Sequence, residues 1–511
     1  MISSRGRRLS NLALACVALA AIGFTLWRLA EASSGVAIER LAVDGTPVTI
    51  VRPSAGPSGP VVVIAHGFAG SQQLMRSFAL TFACNGYVAV TFDFAGHGRN
   101  PRPLSGGITE ESGATRTLLA ELTRVADAAR GLGDGRLAVL GHSMASDVVV
   151  RFAEATPDVA ATVAVSMFSP AVTASAPRNL LVIVGDWEAG LKQEALRAVG
   201  LAIGPREASP GITYGDVAAG TSRRAAFSAH VEHASVLFSQ DSMREALAWL
   251  DATFGIVRTR PPALDDRGPW IMLLLGAVVL LARPLSACLP RLAEPAIGAG
   301  LGWRRLAVPL LVPMIATPLL LRVMPTHFLP VLVGDYLAAH FALYGLITIL
   351  CLVAMGRPIR LSGQQSGPGF WLATAAVVAY GFVGFVWPID RLVTSFMPGP
   401  ERVVLVLAML VGTLLYFVGD EWSTRGQGAG RAAYAVSKLV FLASLAVAVG
   451  LDFRRLFFLV IIVPVIGLFF LVYGLISAWV YRSTGHPLVA AIASAIAFAW
   501  AIGVTFPLLA G

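Results

Sequence analysis

Charge is scarce in this chain. Only 14% of its 511 residues are Asp, Glu, Lys or Arg, where a soluble globular protein carries about 25%. With 56% hydrophobic residues and a mean hydropathy of +0.71, this excludes a purely soluble or a disordered protein. Lysine is nearly absent. Lys192 and Lys438 are the only two, so arginine carries the net charge of +9. There is no basic block, and no nucleic-acid partner is expected. Cysteine is equally sparse. Cys16, Cys288 and Cys351 lie in long apolar runs and Cys84 stands alone. That excludes a disulfide framework and a metal-ligand spacing, and no metal is expected.

What is abundant is long apolar runs, unevenly placed. A helix needs about 20 apolar residues to cross the hydrocarbon core. One run, Leu9–Leu29, follows Arg5, Arg7 and Arg8. Its length predicts an uncleaved signal anchor over residues 1–35. Ala30-Glu31-Ala32 is the cleavage site if the run is instead a signal peptide. Residues 36–260 read as a soluble domain. Residues 269–511 read as an all-α transmembrane bundle of about eight helices, at 269–289, 306–323, 331–354, 369–388, 402–419, 433–450, 456–480 and 487–509. With the N-terminus in the cytoplasm, the inner loops hold Arg283, Arg291, Arg304, Arg305, Arg357, Arg360, Arg425, Arg431 and Arg482. The outer ones hold only Arg391, Arg402, Arg454 and Arg455. Positive residues collect inside, so residues 36–268 are expected outside the membrane, which in a bacterium is the periplasm or cell exterior. Asp420 and Glu421 fall at the inner end of a span and are expected to snorkel to the membrane edge. His486 falls in a loop and needs no role.

The outer domain alternates strands and helices. Val61–Ala65, Tyr87–Phe92, Leu137–Leu140, Ala161–Met167, Leu180–Val184 and Arg224–His230 are apolar or β-branched runs. Helical stretches such as Thr115–Arg130 and Ser146–Ala155 lie between them. This pattern predicts a doubly wound α/β sheet. Three strand ends carry motifs: His66-Gly67-Phe68, Asp93-Phe94-Ala95-Gly96-His97-Gly98 and Gly141-His142-Ser143-Met144-Ala145. In order and spacing they resemble the oxyanion loop, the D-x-x-G-x-G loop and the nucleophile elbow of the α/β-hydrolase family. The resemblance covers about 220 residues. Ala145 stands where the elbow has its second glycine and adds one methyl.

The resemblance implies a serine hydrolase. A serine hydroxyl needs a base to take its proton, and an elbow turn lifts its oxygen clear of the sheet. Ser143 is the expected nucleophile and His233 the expected base, with His230 more suited to ending its strand. In the family the acid commonly lies three residues after a strand-ending glycine such as Gly185. That favours Glu188, with Asp186 as second choice. The backbone N–H groups of Phe68 and Met144 are the expected oxyanion hole. His66, His97 and His142 are expected to shape loops. Between Ser169 and Asn179 there is no room for a large lid. Water completes the cycle, so no cofactor is required.

The expected function is therefore a membrane-anchored serine hydrolase of esterase or lipase type, acting on a small acyl ester or lipid outside the bilayer. Two readings compete with it: a transport or ligand-binding membrane protein with a non-catalytic α/β-hydrolase module, and an intramembrane protease. The third rests on a faint likeness of Asp420–Gly426 to the E-E-x-x-x-R motif of CAAX-type proteases.

Overall fold

The computed structural model describes residues 4–106, 111–204, 207–363 and 365–510. The other positions of the three predicted segments lie outside the described residues. Its contacts divide the chain into two units. The sheet unit holds Phe24–Leu273 together with Ile389–Ser395 and Pro507–Gly511. The helical unit holds Met1–Gly23, Leu274–Pro388 and Phe396–Phe506.

The strands are β1 (Val36–Val43), β2 (Thr46–Pro53), β3 (Val61–Ala65), β4 (Val88–Phe92), β5 (Leu137–His142), β6 (Val159–Val165), β7 (Leu180–Gly185), β8 (Thr213–Tyr214) and β9 (Arg223–Ser228). They form one sheet in the order β1-β2-β4-β3-β5-β6-β7-β9-β8. The six central strands are parallel and coincide with the six predicted runs. The helices up to residue 254 are α1 (Ser4–Glu31), α2 (Arg76–Cys84), α3 (Arg116–Ala129), α4 (Met144–Ala155), α5 (Ala189–Ile203) and α6 (Gln240–Phe254). Successive strand side chains point to opposite faces. Val62 and Ile64 pack with residues of α2 and α6, while Val61, Val63 and Ala65 pack with α3 and α4. Burial on both faces is why these strands read as unbroken apolar runs.

The edge strands β1, β2 and β8 pair antiparallel and were not expected. β1 is mostly exposed, so it carries no such run. Its available signal was Asp44-Gly45, whose φ values of 46° and 82° make the hairpin turn to β2.

The remaining helices are α7 (Arg267–Ser286), α8 (Trp303–Leu321), α9 (Gly334–Ala354), α10 (Pro368–Gly381), α11 (Trp387–Leu392), α12 (Pro400–Thr424), α13 (Ala433–Leu451), α14 (Phe453–Thr484) and α15 (Pro487–Thr505). A π turn, Phe382–Val386, joins α10 and α11. Counting those two as one and including α1, nine stretches among the described residues are long and apolar enough to cross a membrane. α8 runs through Pro309, Pro313 and Pro318. α9 and α12 lie side by side and run the same way. A Cβ on Gly412 would stand 2.4 Å from the Ala338 carbonyl, and one on Gly345 would stand 2.3 Å from the backbone of Leu415 and Tyr416. Small residues allow such close helix contact.

The charges at the end of α12 depart from expectation. Asp420 and Glu421 are 5% and 0% exposed, so they do not snorkel. Asp420 accepts from the Lys438 ammonium of α13. Glu421 accepts from Arg425 at 3.1 Å and from the Ser477 hydroxyl of α14. Burial is tolerable because each charge meets an opposite one. His486 is also fully buried. Its Nδ1 accepts from Leu488 N and caps α15, a role absent from the sequence reading. Removing one buried partner strands the other, so Lys438→Met should destabilise the purified chain in detergent by about 3–5 kcal/mol. The double variant Asp420→Asn/Lys438→Met should regain most of that, read as the shift in thermal unfolding.

Candidate active site

Three loops at the C-terminal ends of parallel strands bring Ser143, His233 and Glu188 together. Ser143 sits between β5 and α4 with φ 52° and ψ −116°, a conformation that is rare outside glycine. Its N–H donates to the Val165 carbonyl at 2.9 Å, and its own carbonyl accepts from Ser146 N at 2.8 Å. Gly141 makes the turn possible, since a Cβ there would lie 2.4 Å from the Ala145 carbonyl. The tight contact is thus at Gly141, and the methyl of Ala145 is accommodated in the core.

His233 Nε2 lies 2.8 Å from Ser143 Oγ, and its Nδ1 lies 2.6 Å from Glu188 Oε1. The Glu188 carboxylate is 7% exposed and the imidazole 41%. Burial pushes the Glu188 carboxyl upward, but hydrogen bonds from His233, Ser166 and the Gly185 N–H outweigh it and hold the group below its ordinary range. Asp186 instead pairs with Lys192 at 2.9 Å on the surface. His230 is exposed, in the turn after β9. Sequence reasoning missed Ser166, whose Oγ donates to Glu188 Oε2 at 2.7 Å. Its signal was its place one residue past β6, next to the acid-bearing strand.

Phe68 follows β3, and Met144 opens α4. A Cβ on Gly67 would stand 3.0 Å from Ser143 Cβ and 2.9 Å from His142 Nδ1, so the Phe68 loop lies directly against the elbow. His66 Nε2 accepts from Phe94 N, so its Nδ1 carries the proton given to the Gly67 carbonyl. Burial pushes the His66 imidazole below its ordinary value. Asp93 accepts from Gln72 N, Gln72 Nε2 and Arg99 N. A Cβ on Gly98 would strike that carboxylate at 2.4 Å, which explains the last glycine of its motif.

Two distant segments complete these loops. Thr394 Oγ1 lies 2.9 Å from Ser71 Oγ, Gln73 Nε2 donates to Ser395 Oγ at 2.8 Å, and Arg99 pairs with Asp390 at 2.6 Å. Leu508 N donates to the Gly96 carbonyl at 2.9 Å, and Leu104 N donates to the Leu508 carbonyl at 2.8 Å. Among the described residues no group of three or more His, Cys, Asp or Glu side chains is placed to hold a metal.

Residues 56–201 match the family described as serine aminopeptidase, S33. The sheet unit is an α/β-hydrolase domain. An uncharacterized protein of Mycobacterium tuberculosis is 30% identical to this chain over 108 residues, 21% of this chain and 36% of the relative. The match therefore spans about a third of that relative's length. Among solved structures, a protein from Thermus thermophilus is 19% identical and covers 44% of this chain and 99% of its own, with a TM-score of 0.32. An epoxide hydrolase from Vigna radiata is 24% identical and covers 27% and 40%, with a TM-score of 0.22.

The hydrolase domain has no helix between β6 and β7, so the short link of residues 166–179 places no helical lid there. His142 has a defined task in it. Its Nε2 donates to the His233 carbonyl at 3.0 Å. Burial, and then the neighbouring His233, push the His142 imidazole down to about 3. The folded domain keeps it neutral where the unfolded chain, with an ordinary value of 6.5, binds a proton. Its contribution to stability is therefore complete above pH 6.5 and is lost as the pH falls towards 3. His142→Gln, which keeps a donor but cannot titrate, should flatten the fall of the thermal midpoint across that window. A pH series of unfolding midpoints checks this.

Proposed function

We propose that this chain is a membrane-anchored serine hydrolase acting on an acyl substrate at the outer face of a bilayer. The observation that carries the reading is the unbroken chain from Glu188 through His233 to Ser143. In it, Ser143 Oγ attacks the acyl carbon while His233 Nε2 takes its proton. The N–H groups of Phe68 and Met144 receive the developing oxyanion. Collapse expels the leaving group, which takes the proton back from His233 and leaves the acyl ester on Ser143. Water then repeats the sequence, frees the acid and restores the serine. Glu188 orients the imidazole and stabilises its cation.

The outer-face assignment is supported by counting crossings. If each of the nine apolar stretches crosses once, then Phe24–Glu31, Arg267–Leu273, Ile389–Ser395 and the residues after Pro507 all emerge on one side. These are also the helix ends and connectors assigned to the sheet unit. The arginine-rich connectors fall on the other side, as positive-inside requires.

Acyl esters and peptide amides are both open to this chemistry, and the matched family's name points to the second. A panel of p-nitrophenyl esters beside aminoacyl p-nitroanilides, assayed on the full chain in detergent, separates the two. Ser143→Ala should lower kcat by about 10⁴- to 10⁶-fold, and Glu188→Gln by about 10⁴-fold. Asp186→Asn should leave kcat within about twofold, as expected when an exposed surface ion pair is lost. Turnover unchanged in Ser143→Ala would favour a non-catalytic module.

A further inference from the structure

The helical unit contains an apolar groove of about 390 Å³ between the end of α7, one face of α10 and the last turns of α14. Its walls include Ala282, Leu285, Leu372, Ala376, Ile476 and Val480. Every polar side chain in the lining is already turned to backbone. Ser286 Oγ donates to the Arg283 carbonyl, Cys288 Sγ to the Pro284 carbonyl and Tyr380 OH to the Val278 carbonyl. The groove therefore offers an occupant no free side-chain donor and suits a hydrocarbon chain. Its flanks carry Leu285 and Leu372, which are 45% and 70% exposed, as befits a lipid-facing surface.

The rim is different in kind. Arg283 lies one residue from the lining Ala282, Arg291 one residue from Pro290 and Arg482 two residues from Val480. Arg291 Nη1 donates to the Arg482 and Ser483 carbonyls at 2.9 and 3.4 Å, which ties the loop after α7 to the end of α14. Among the described residues, none of these three arginines has a carboxylate at ion-pair distance, and all three are exposed. Three uncompensated positive charges at the mouth of a hydrocarbon-lined groove between helices match one chemistry, an anionic headgroup on an acyl chain.

We propose that this groove is a binding site for an anionic phospholipid. One acyl chain lies between α7, α10 and α14, and the phosphate is held by Arg283, Arg291 and Arg482. The inference rests on the reading that the helical unit spans a bilayer.

The test is native mass spectrometry of the full chain from nanodiscs of dioleoyl phosphatidylglycerol or dioleoyl phosphatidylcholine. The wild type should retain one phosphatidylglycerol under conditions that strip phosphatidylcholine, and a large excess of inorganic phosphate should not displace it. Arg283→Gln/Arg291→Gln/Arg482→Gln should weaken retention by about a hundredfold, at about fivefold per charge. Ala376→Trp, which fills the groove, should abolish it. Equal retention of the two lipids by the wild type overturns the site without recourse to any variant. So does full retention in Ala376→Trp. Displacement by inorganic phosphate overturns the lipid in favour of a free anion. Alkaline carbonate extraction of cell membranes separates a failure of the site from a failure of the bilayer reading, because a chain that does not span is released.

Discussion

The backbone at Ser143 is the constraint on which the rest of the hydrolase domain depends. A serine at φ 52° costs on the order of 1–3 kcal/mol and persists only where its surroundings over-determine it. Here they do. β5 delivers the residue from a strand buried on both faces, α4 carries the chain away, and Gly141 and Gly67 leave the space in which the turn closes. The hydrogen bond from Ser143 N to Val165 fastens the turn to the neighbouring strand. The site is thus made rigid from below, by the sheet.

From above it is made by loops that have little sheet to lean on. They are held by buried acids instead. Glu188 is fixed by Ser166 and Gly185 while it faces His233. Glu121, 1% exposed, accepts from Ala95 N, Asn100, Arg102 and Thr46 and so pins the loop after β4. Ile389–Ser395 and the tail after Pro507 supply further hydrogen bonds to the same loops. The loops of the sheet unit are thus closed in part by segments that lie far away along the chain.

Much of this was legible in the sequence. The six parallel strands announce themselves because double burial demands unbroken apolar runs, and the glycines of three motifs mark loops where a Cβ has no room. The separation of Glu188 from Asp186 came from family spacing, and geometry gives it a cause. The strand end buries Glu188 beside Ser166, while Asp186 reaches outward to Lys192. What the sequence did not disclose was partnership at a distance. Nothing in Asp420 or Glu421 says that Lys438 and Ser477 will meet them inside the bundle, and nothing in residues 389–395 or 507–510 says that they finish a sheet unit. Such pairings depend on tertiary packing, which local periodicity does not encode.

The central claim is an activated serine on the outer side of a membrane. It is tested most directly by labelling intact cells with a membrane-impermeant fluorophosphonate probe, comparing wild type with Ser143→Ala. The account predicts labelling of the wild type in intact cells and none of the variant. Labelling only after lysis would contradict the orientation, and no labelling of the wild type under either condition would contradict the nucleophile itself.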